Sequence, residues 1–169
     1  MASDQEEPGW LKSLSRRLTQ RIGQAWESPG ADLYFPLYTW HNTFMYRKGY
    51  TKKYNEIPGG FGLGRSFRDE DGDRHALALI GFSDSNSRFQ PYGGYFFIKS
   101  WAMDEAAHWR AGAGVVLGIT ARYEYSYIPM PLPLPAFSLS YRGVALEAIY
   151  VPDGYNSGNV LFAWLRLSF

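Results

Sequence analysis

The sequence predicts an all-β protein: an eight-stranded antiparallel transmembrane β-barrel with an N-terminal amphipathic helix. Three observations carry that reading. Segments of about ten residues that alternate in polarity recur along the chain, the signature of strands crossing a membrane. In those segments the uncharged face is the bulky one, while the opposite face holds glycines and polar groups. No helix of the required ~20 apolar residues can form. The longest charge-free run, residues 125–141, contains Pro129, Pro131, Pro133 and Pro135, and each internal proline removes a helical donor and clashes with the preceding turn.

The chain divides into residues 1–30, an interfacial helix and linker, and residues 31–169, the barrel. In the first part Trp10, Leu14, Leu18, Ile22 and Ala25/Trp26 recur at helical spacing with Leu11 beside them, and Lys12, Arg16, Arg17 and Arg21 take the polar side. Pro29-Gly30 ends the run. A short basic helix with Trp at both ends suits anionic headgroups; packing on a barrel, or plugging one, fits the pattern equally well.

Strands are expected at 34–46, 58–67, 74–83, 93–101, 109–120, 130–140, 143–151 and 159–168, an even number as bacterial single-chain barrels have. On the first, His41 shares parity with Phe35, Leu37 and Thr39, whereas Tyr38, Trp40 and Asn42 take the other face. Phe61 and Leu63 oppose Gly60, Gly62 and Gly64 on the second. On the fifth, Ala113, Val115, Leu117 and Ile119 oppose Gly112, Gly114, Val116, Gly118 and Thr120. Phe137, Leu139 and Tyr141 oppose Ala136, Ser138 and Ser140 on the sixth; Val144, Leu146, Ala148 and Tyr150 oppose Ala145, Glu147 and Ile149 on the seventh. On the last, Leu161, Ala163, Leu165, Leu167 and Phe169 oppose Val160, Phe162, Trp164, Arg166 and Ser168. A soluble sandwich would place Lys and Glu on its outer face, so this pattern points to lipid outside and a narrow interior. Residues 68–73 and 141–143 read as short polar turns, and 47–57, 83–92, 121–129 and 152–158 as loops of the opposite rim. Tyr and Trp near the strand ends, Trp40, Trp101, Trp109 and Trp164 among them, are placed in an aromatic belt.

Composition narrows the function. With 17 Lys and Arg against 16 Asp and Glu, the chain lacks the basic excess that phosphate neutralisation needs, and no nucleic-acid partner is expected. The absence of cysteine excludes disulfide scaffolds, zinc ribbons and thiol catalysis. Asp4, Glu6 and Glu7 leave no room for a secretory leader, so an exported protein would already have lost it.

Of the three histidines, His75 and His108 lie beside turns and read as surface or interface residues. His41 points inward if Tyr38 and Trp40 meet lipid, and an inward His needs polar partners. The run Ser83-Asp84-Ser85-Asn86-Ser87 at the end of the third strand can supply them. A His, an Asp and a Ser at one rim suggest acyl transfer with His41 as general base; a solvated Asx turn is the plain alternative. No nucleophile elbow, phosphate loop or metal-ligand cluster competes, and neither cofactor nor metal is expected.

An ordered series of motifs extends from about Trp10 to Phe169. It comprises Gln24-Ala25-Trp26, Asp32-Leu33-Tyr34 with Pro36, Thr39-Trp40-His41, Tyr54-Asn55-Glu56 and Gly60-Phe61-Gly62-Leu63. It continues with Asp84-Ser85, Gly118-Ile119-Thr120-Ala121-Arg122, Tyr127-Ile128-Pro129 and Tyr155-Asn156-x-Gly158-Asn159-Val160-x-Phe162-Ala163-Trp164. In this series the chain resembles the PagP lipid A palmitoyltransferases of Gram-negative outer membranes. The resemblance implies an outer-membrane enzyme, read here as a monomer, that moves an acyl chain from the sn-1 position of a phospholipid to lipid A. It assigns His41, Asp84 and Ser85 to catalysis: His41 as base, Asp84 or Ser85 orienting it or stabilising charge. Whether Ser85 forms an acyl-enzyme, or the lipid A hydroxyl attacks directly, stays open.

The resemblance also implies two lateral openings, between the first and second strands and between the sixth and seventh. Pro36, Pro58, Pro129 and Pro152 lie near the corresponding strand ends, and proline cannot donate to a ladder; Pro131, Pro133 and Pro135 read as ordinary punctuation. In one respect the chain departs from the family. Where a small residue, typically Gly, sets the floor of the acyl pocket, this sequence has Phe96, in parity with Gly94. A donor chain shorter than palmitate is therefore expected, unless Gly112, Gly114 and Gly118 deepen the pocket elsewhere. The alternative function is a non-catalytic lipid- or fatty-acid-binding barrel.

Overall fold

A computed structural model describes residues 9–155 and 157–169; the first eight residues of the 1–30 segment, and Asn156, lie outside the described residues. Helix α1 (Gly9–Glu27) precedes eight strands: β1 (Ala31–His41), β2 (Gly60–Arg68), β3 (Arg74–Ser83), β4 (Phe89–Ala102), β5 (Trp109–Thr120), β6 (Met130–Tyr141), β7 (Val144–Val151) and β8 (Val160–Ser168). Each pairs antiparallel with the next, and β8 returns to β1, so the barrel closes in strand order. Closure is what lets a sheet sit in hydrocarbon, where no water satisfies an open edge. The long connections 42–59, 84–88, 121–129 and 152–159 gather on one rim, and 69–73, 103–108 and 142–143 on the other.

The alternation read from the sequence sorts the two faces. Leu63, Leu79, Ile119, Phe137 and Leu146 stand exposed on the outer wall, while Tyr34, Ile80, Val116, Leu134 and Trp164 are buried inside. The interior is more aromatic than expected. Tyr34, Tyr92, Phe96, Phe162 and Trp164 form one inward cluster, so Trp164 belongs to the core and not to a rim belt. Below that cluster, on the short-turn side, lies a buried polar group of two cations and two anions. Arg74 Nη2 reaches Asp32 and the Tyr34 hydroxyl, both at 2.7 Å. Glu147 accepts from Arg166 Nε at 3.0 Å, Trp164 Nε1 at 3.1 Å and Ser138 Oγ at 3.2 Å.

β1 departs most from expectation. It starts at Ala31 and stops at His41, and residues 43–45 form a 3₁₀ turn where strand was anticipated. Its pairing with β8 slips between Pro36 and Tyr38, a bulge at Leu37 that reverses the alternation. Asp32 and Tyr34 therefore point inward below it, Thr39 and His41 above it. Phe35 does not share the His41 face: it packs outside on Phe61, ring centroids 5.6 Å apart, and Leu37 is exposed.

α1 lies outside the barrel against β2 and β3, which excludes the plug. Arg65 donates to the Trp26 carbonyl at 3.0 Å, and Arg21 pairs with Asp69 at 3.6 Å. Trp10, Leu14 and Ile22 stay exposed along the helix, an apolar ridge suited to an interfacial position. Beneath α1, His75 is buried and not a surface residue; its Nε2 meets Asp69 Oδ2 at 2.9 Å and its ring stacks on Phe67. Burial works against ionisation of the Asp69 carboxyl, but the His75 bond and backbone N–H groups outweigh it and hold its pKa below the usual carboxylate value.

The wall is open in two places on the long-loop side. β1 pairs with β2 only from Ala31↔Arg65 to Tyr34↔Gly62, leaving Phe35 onward without a β2 partner, with Thr39 N donating instead to the Glu56 carbonyl of the connection. β6 follows β5 from Met130 to Tyr141 but meets β7 only from Ala136↔Ile149 downward. Pro131, Pro133 and Pro135 fall in that unpaired stretch. Successive residues of an antiparallel strand turn their N–H groups to opposite neighbours, so prolines at every second position strip donors from one edge alone. These three are more than punctuation: they line the free edge. Pro129 and Pro152 flank its top, Pro36 sits at the β1 bulge, and Pro58 is buried in the β1–β2 connection.

Candidate active site

The bulge at Leu37 turns His41 into the barrel mouth, where its side chain is 2% exposed. Tyr54 stacks on the imidazole with centroids 4.7 Å apart, and Tyr46 meets it edge-on at 6.0 Å. Burial raises both phenol pKa values, so these rings stay neutral. His41 Nε2 lies 3.0 Å from Ser85 Oγ. Ser85 is brought there by the end of β3 and by its own carbonyl, which accepts from Asn55 N at 2.9 Å. That bond ties the β3–β4 loop to the β1–β2 connection.

Asp84 and Ser85, adjacent in sequence, do different things. Asp84 Oδ1 accepts from the backbone N–H groups of Asn86 (2.8 Å) and Arg88 (2.9 Å), closing the loop as an Asx turn. Its carboxylate makes no hydrogen bond to His41; Oδ2 is buried with no hydrogen-bond partner among the described residues. The structure therefore brings His41 and Ser85 together and sets Asp84 beside them. His41 Nδ1 also lacks a hydrogen bond, and among the described residues Glu56 Oε1, at 3.8 Å, is the carboxylate that pairs with it. Glu56 stood in the sequence only as part of the Tyr54-Asn55-Glu56 motif. Nothing in strand periodicity could mark a loop carboxylate as a neighbour of His41.

The pair stands at the mouth of a cavity of about 420 Å³ that runs down the barrel axis. Its walls include Phe82, Leu132, Val151 and Val160, and it ends on Tyr92, Leu134 and Phe162. Phe96 lies one layer lower, 1% exposed, with its ring against Tyr34, Tyr92 and Trp164. The visible floor is therefore Tyr92, which the sequence reading passed over, with Phe96 supporting it. The glycines do not deepen this cavity. Gly94 has φ +153°, and a Cβ there would strike the Leu117 carbonyl across the ladder, so its smallness serves the close approach of β4 and β5. Gly112 makes room for the Ile98 side chain, Gly114 lets the Phe97 carbonyl approach across the ladder, and the space beside Gly118 is filled by the Tyr92 ring.

A histidine set against a hydroxyl at the mouth of an apolar cavity, inside a closed barrel with a lipid-facing wall, is the arrangement of a membrane acyltransferase. The family model described as "antimicrobial peptide resistance and lipid A acylation protein PagP" matches residues 21–166, and the chain belongs to that family. It is 48% identical over 165 residues to the lipid A acyltransferase PagP of Proteus mirabilis, covering 97% of this chain and 76% of that one. The protein of the same name from Photorhabdus laumondii is 45% identical over 154 residues, 91% of this chain and 74% of its own. That of Yersinia pestis is 46% identical over 160 residues, 95% and 80%. The chain is thus an acyltransferase, as these relatives are.

Proposed function

We propose that the protein works as a monomer in the outer membrane of a Gram-negative bacterium. There it transfers one acyl chain from the sn-1 position of a phospholipid to a hydroxyl of lipid A, without cofactor or metal. The observation that carries this reading is the 3.0 Å contact of His41 Nε2 with Ser85 Oγ at the mouth of the apolar cavity. The donor chain enters laterally through a gap in the ladder and lies in the cavity with its ester carbonyl at the mouth. His41 takes the proton of the attacking hydroxyl, and the C–O bond to the glycerol breaks as the new ester forms. The imidazolium then returns its proton to the departing lysophospholipid oxygen. With the lipid A hydroxyl as attacker this single step completes the transfer; with Ser85 as attacker it leaves an acyl-serine, whose ester the lipid A hydroxyl then attacks while His41 takes that proton and returns it to the departing Ser85 Oγ. Asp84 contributes by fixing the loop that carries Ser85.

Phe96 limits the chain length through Tyr92. Each methylene buried contributes about 0.8 kcal/mol, so two methylenes without space shift selectivity roughly tenfold. The reading predicts a donor chain shorter than palmitate, and a shift toward longer chains in Phe96→Gly as Tyr92 settles into the vacated space. A graded series of phospholipid donors measures this; equal preference for sixteen-carbon chains in both proteins would exclude Phe96 as the ruler. Mass spectrometry of lipid A from cells with and without the protein tests the function itself. An added acyl mass, shorter than palmitoyl, is expected. No change in lipid A while the purified protein binds fatty acid would instead make it a lipid-binding barrel.

A further inference from the structure

We infer that Glu56 is the positioning residue for His41, the acidic partner that holds the imidazole in the tautomer a general base needs. The inference rests on the acyl-transfer reading of this site. Among the described residues two polar groups face the ring nitrogens, Ser85 Oγ at Nε2 and Glu56 Oε1 at Nδ1. Tyr54 and Tyr46 cover the rest of the ring. Asp84, Arg122 and Asp153 line the same cavity, but none is bonded to His41. A buried ring nitrogen without a partner is costly, and the Glu56 carboxylate is the group in place to relieve it.

Glu56 is held at its station independently of His41. Its Oε2 accepts from the Tyr38 hydroxyl at 2.7 Å, and its carbonyl accepts from Thr39 N at 2.8 Å. Tyr38 and Thr39 lie just below His41 on β1, so one bond fixes the Glu56 backbone and the other one of its carboxylate oxygens beside the strand that carries His41. The 3.8 Å separation is ion-pair range, and a movement of about 1 Å makes it a hydrogen bond. Catalytic contacts are commonly long before substrate binds. An anion at Nδ1 keeps the proton on that nitrogen and leaves the Nε2 lone pair for the Ser85 or acceptor hydroxyl. It then stabilises the imidazolium that forms, the part an aspartate takes in a serine-protease triad.

The competing role is mechanical: Glu56 merely pins the β1–β2 connection to β1. Nitrogen-15 NMR of the full chain in micelles, with labelled histidine and at a pH where His41 is neutral, separates the two. The parent should carry its proton on Nδ1, and Glu56→Gln should move it toward Nε2. In transfer assays Glu56→Gln should lower kcat by about 10²-fold or more with little change in KM, the lower end of what general base catalysis supplies. Glu56→Asp should recover at least about a tenth of the parent rate. Tyr38→Phe, which removes one anchor and no charge, should cost far less than Glu56→Gln. Protonation on Nε2 in the parent would overturn the inference without any variant. So would a Glu56→Gln kcat within about threefold of the parent, or a loss confined to KM. If the parent transfers no acyl chain, the acyl-transfer reading fails, while the NMR result still decides whether Glu56 governs the ring.

Discussion

Replacing His41 with alanine is expected to reduce acyl transfer by about 10³-fold, within the range that a positioned general base contributes. Among the described residues no other histidine lines the cavity. His75 is buried under α1 on the outer wall, and His108 lies in the 103–108 connection at the opposite rim. The Asp84 carboxylate is turned to the backbone of its own loop. The fold should survive, because β1 is joined to β8 by a backbone ladder that includes the His41↔Val160 pair and needs no imidazole. Gel mobility before and after heating reports the closed barrel, and transfer to lipid A reports the chemistry. A folded His41→Ala protein that keeps more than a tenth of the parent rate would remove His41 from the mechanism.

The second large effect is on stability, at the other end of the barrel. Glu147→Leu is expected to destabilise the protein by about 3–5 kcal/mol, the usual consequence of removing one member of a buried ion pair. Glu147 is buried and receives Arg166, Trp164, Ser138 and, at 3.4 Å, Arg74. Without it, Asp32 alone faces two buried guanidinium groups, and the Trp164 N–H loses its acceptor. Guanidinium unfolding in micelles, followed by tryptophan fluorescence, should show a lower midpoint with an unchanged slope. A loss under 1 kcal/mol would mean that the cluster is solvated, and its net charge balance immaterial.

Much of the barrel was legible because a membrane strand must repeat every two residues, and β5 to β8 do so without interruption. Where that period holds, the faces of Gly118, Phe137, Glu147 and Arg166 follow from the sequence alone. The period fails at β1, because an unpaired residue at Leu37 looks like any other apolar residue in a run of apolar residues. Inward aromatics were underestimated for a related reason: Trp164 has the same composition signal in a rim belt as in a core. Which inward residues meet across the lumen depends on strand tilt and stagger. Hence Arg74 with Asp32, and Tyr92 as floor above Phe96, were beyond periodicity. The site was half legible. His41 with Ser85 was suggested by the local alternation at Tyr38 and Trp40 and by a strand end, and singled out by the family resemblance, whereas Glu56 depends on how an 18-residue connection folds back between β1 and β2.

The bulge at Leu37 has a consequence for how this chain can vary. Asp32 and His41 stand an odd number of positions apart, yet one serves the ion cluster and the other the proposed reaction, both inside the lumen. A uniform two-residue rhythm can place only one of them there. β1 therefore acts as a phase shifter between a structural half and a chemical half, and the shift is a single residue wide. Deleting Leu37 would keep His41, Asp84 and Ser85 in the sequence, and it would turn His41 out of the lumen or Asp32 into the lipid.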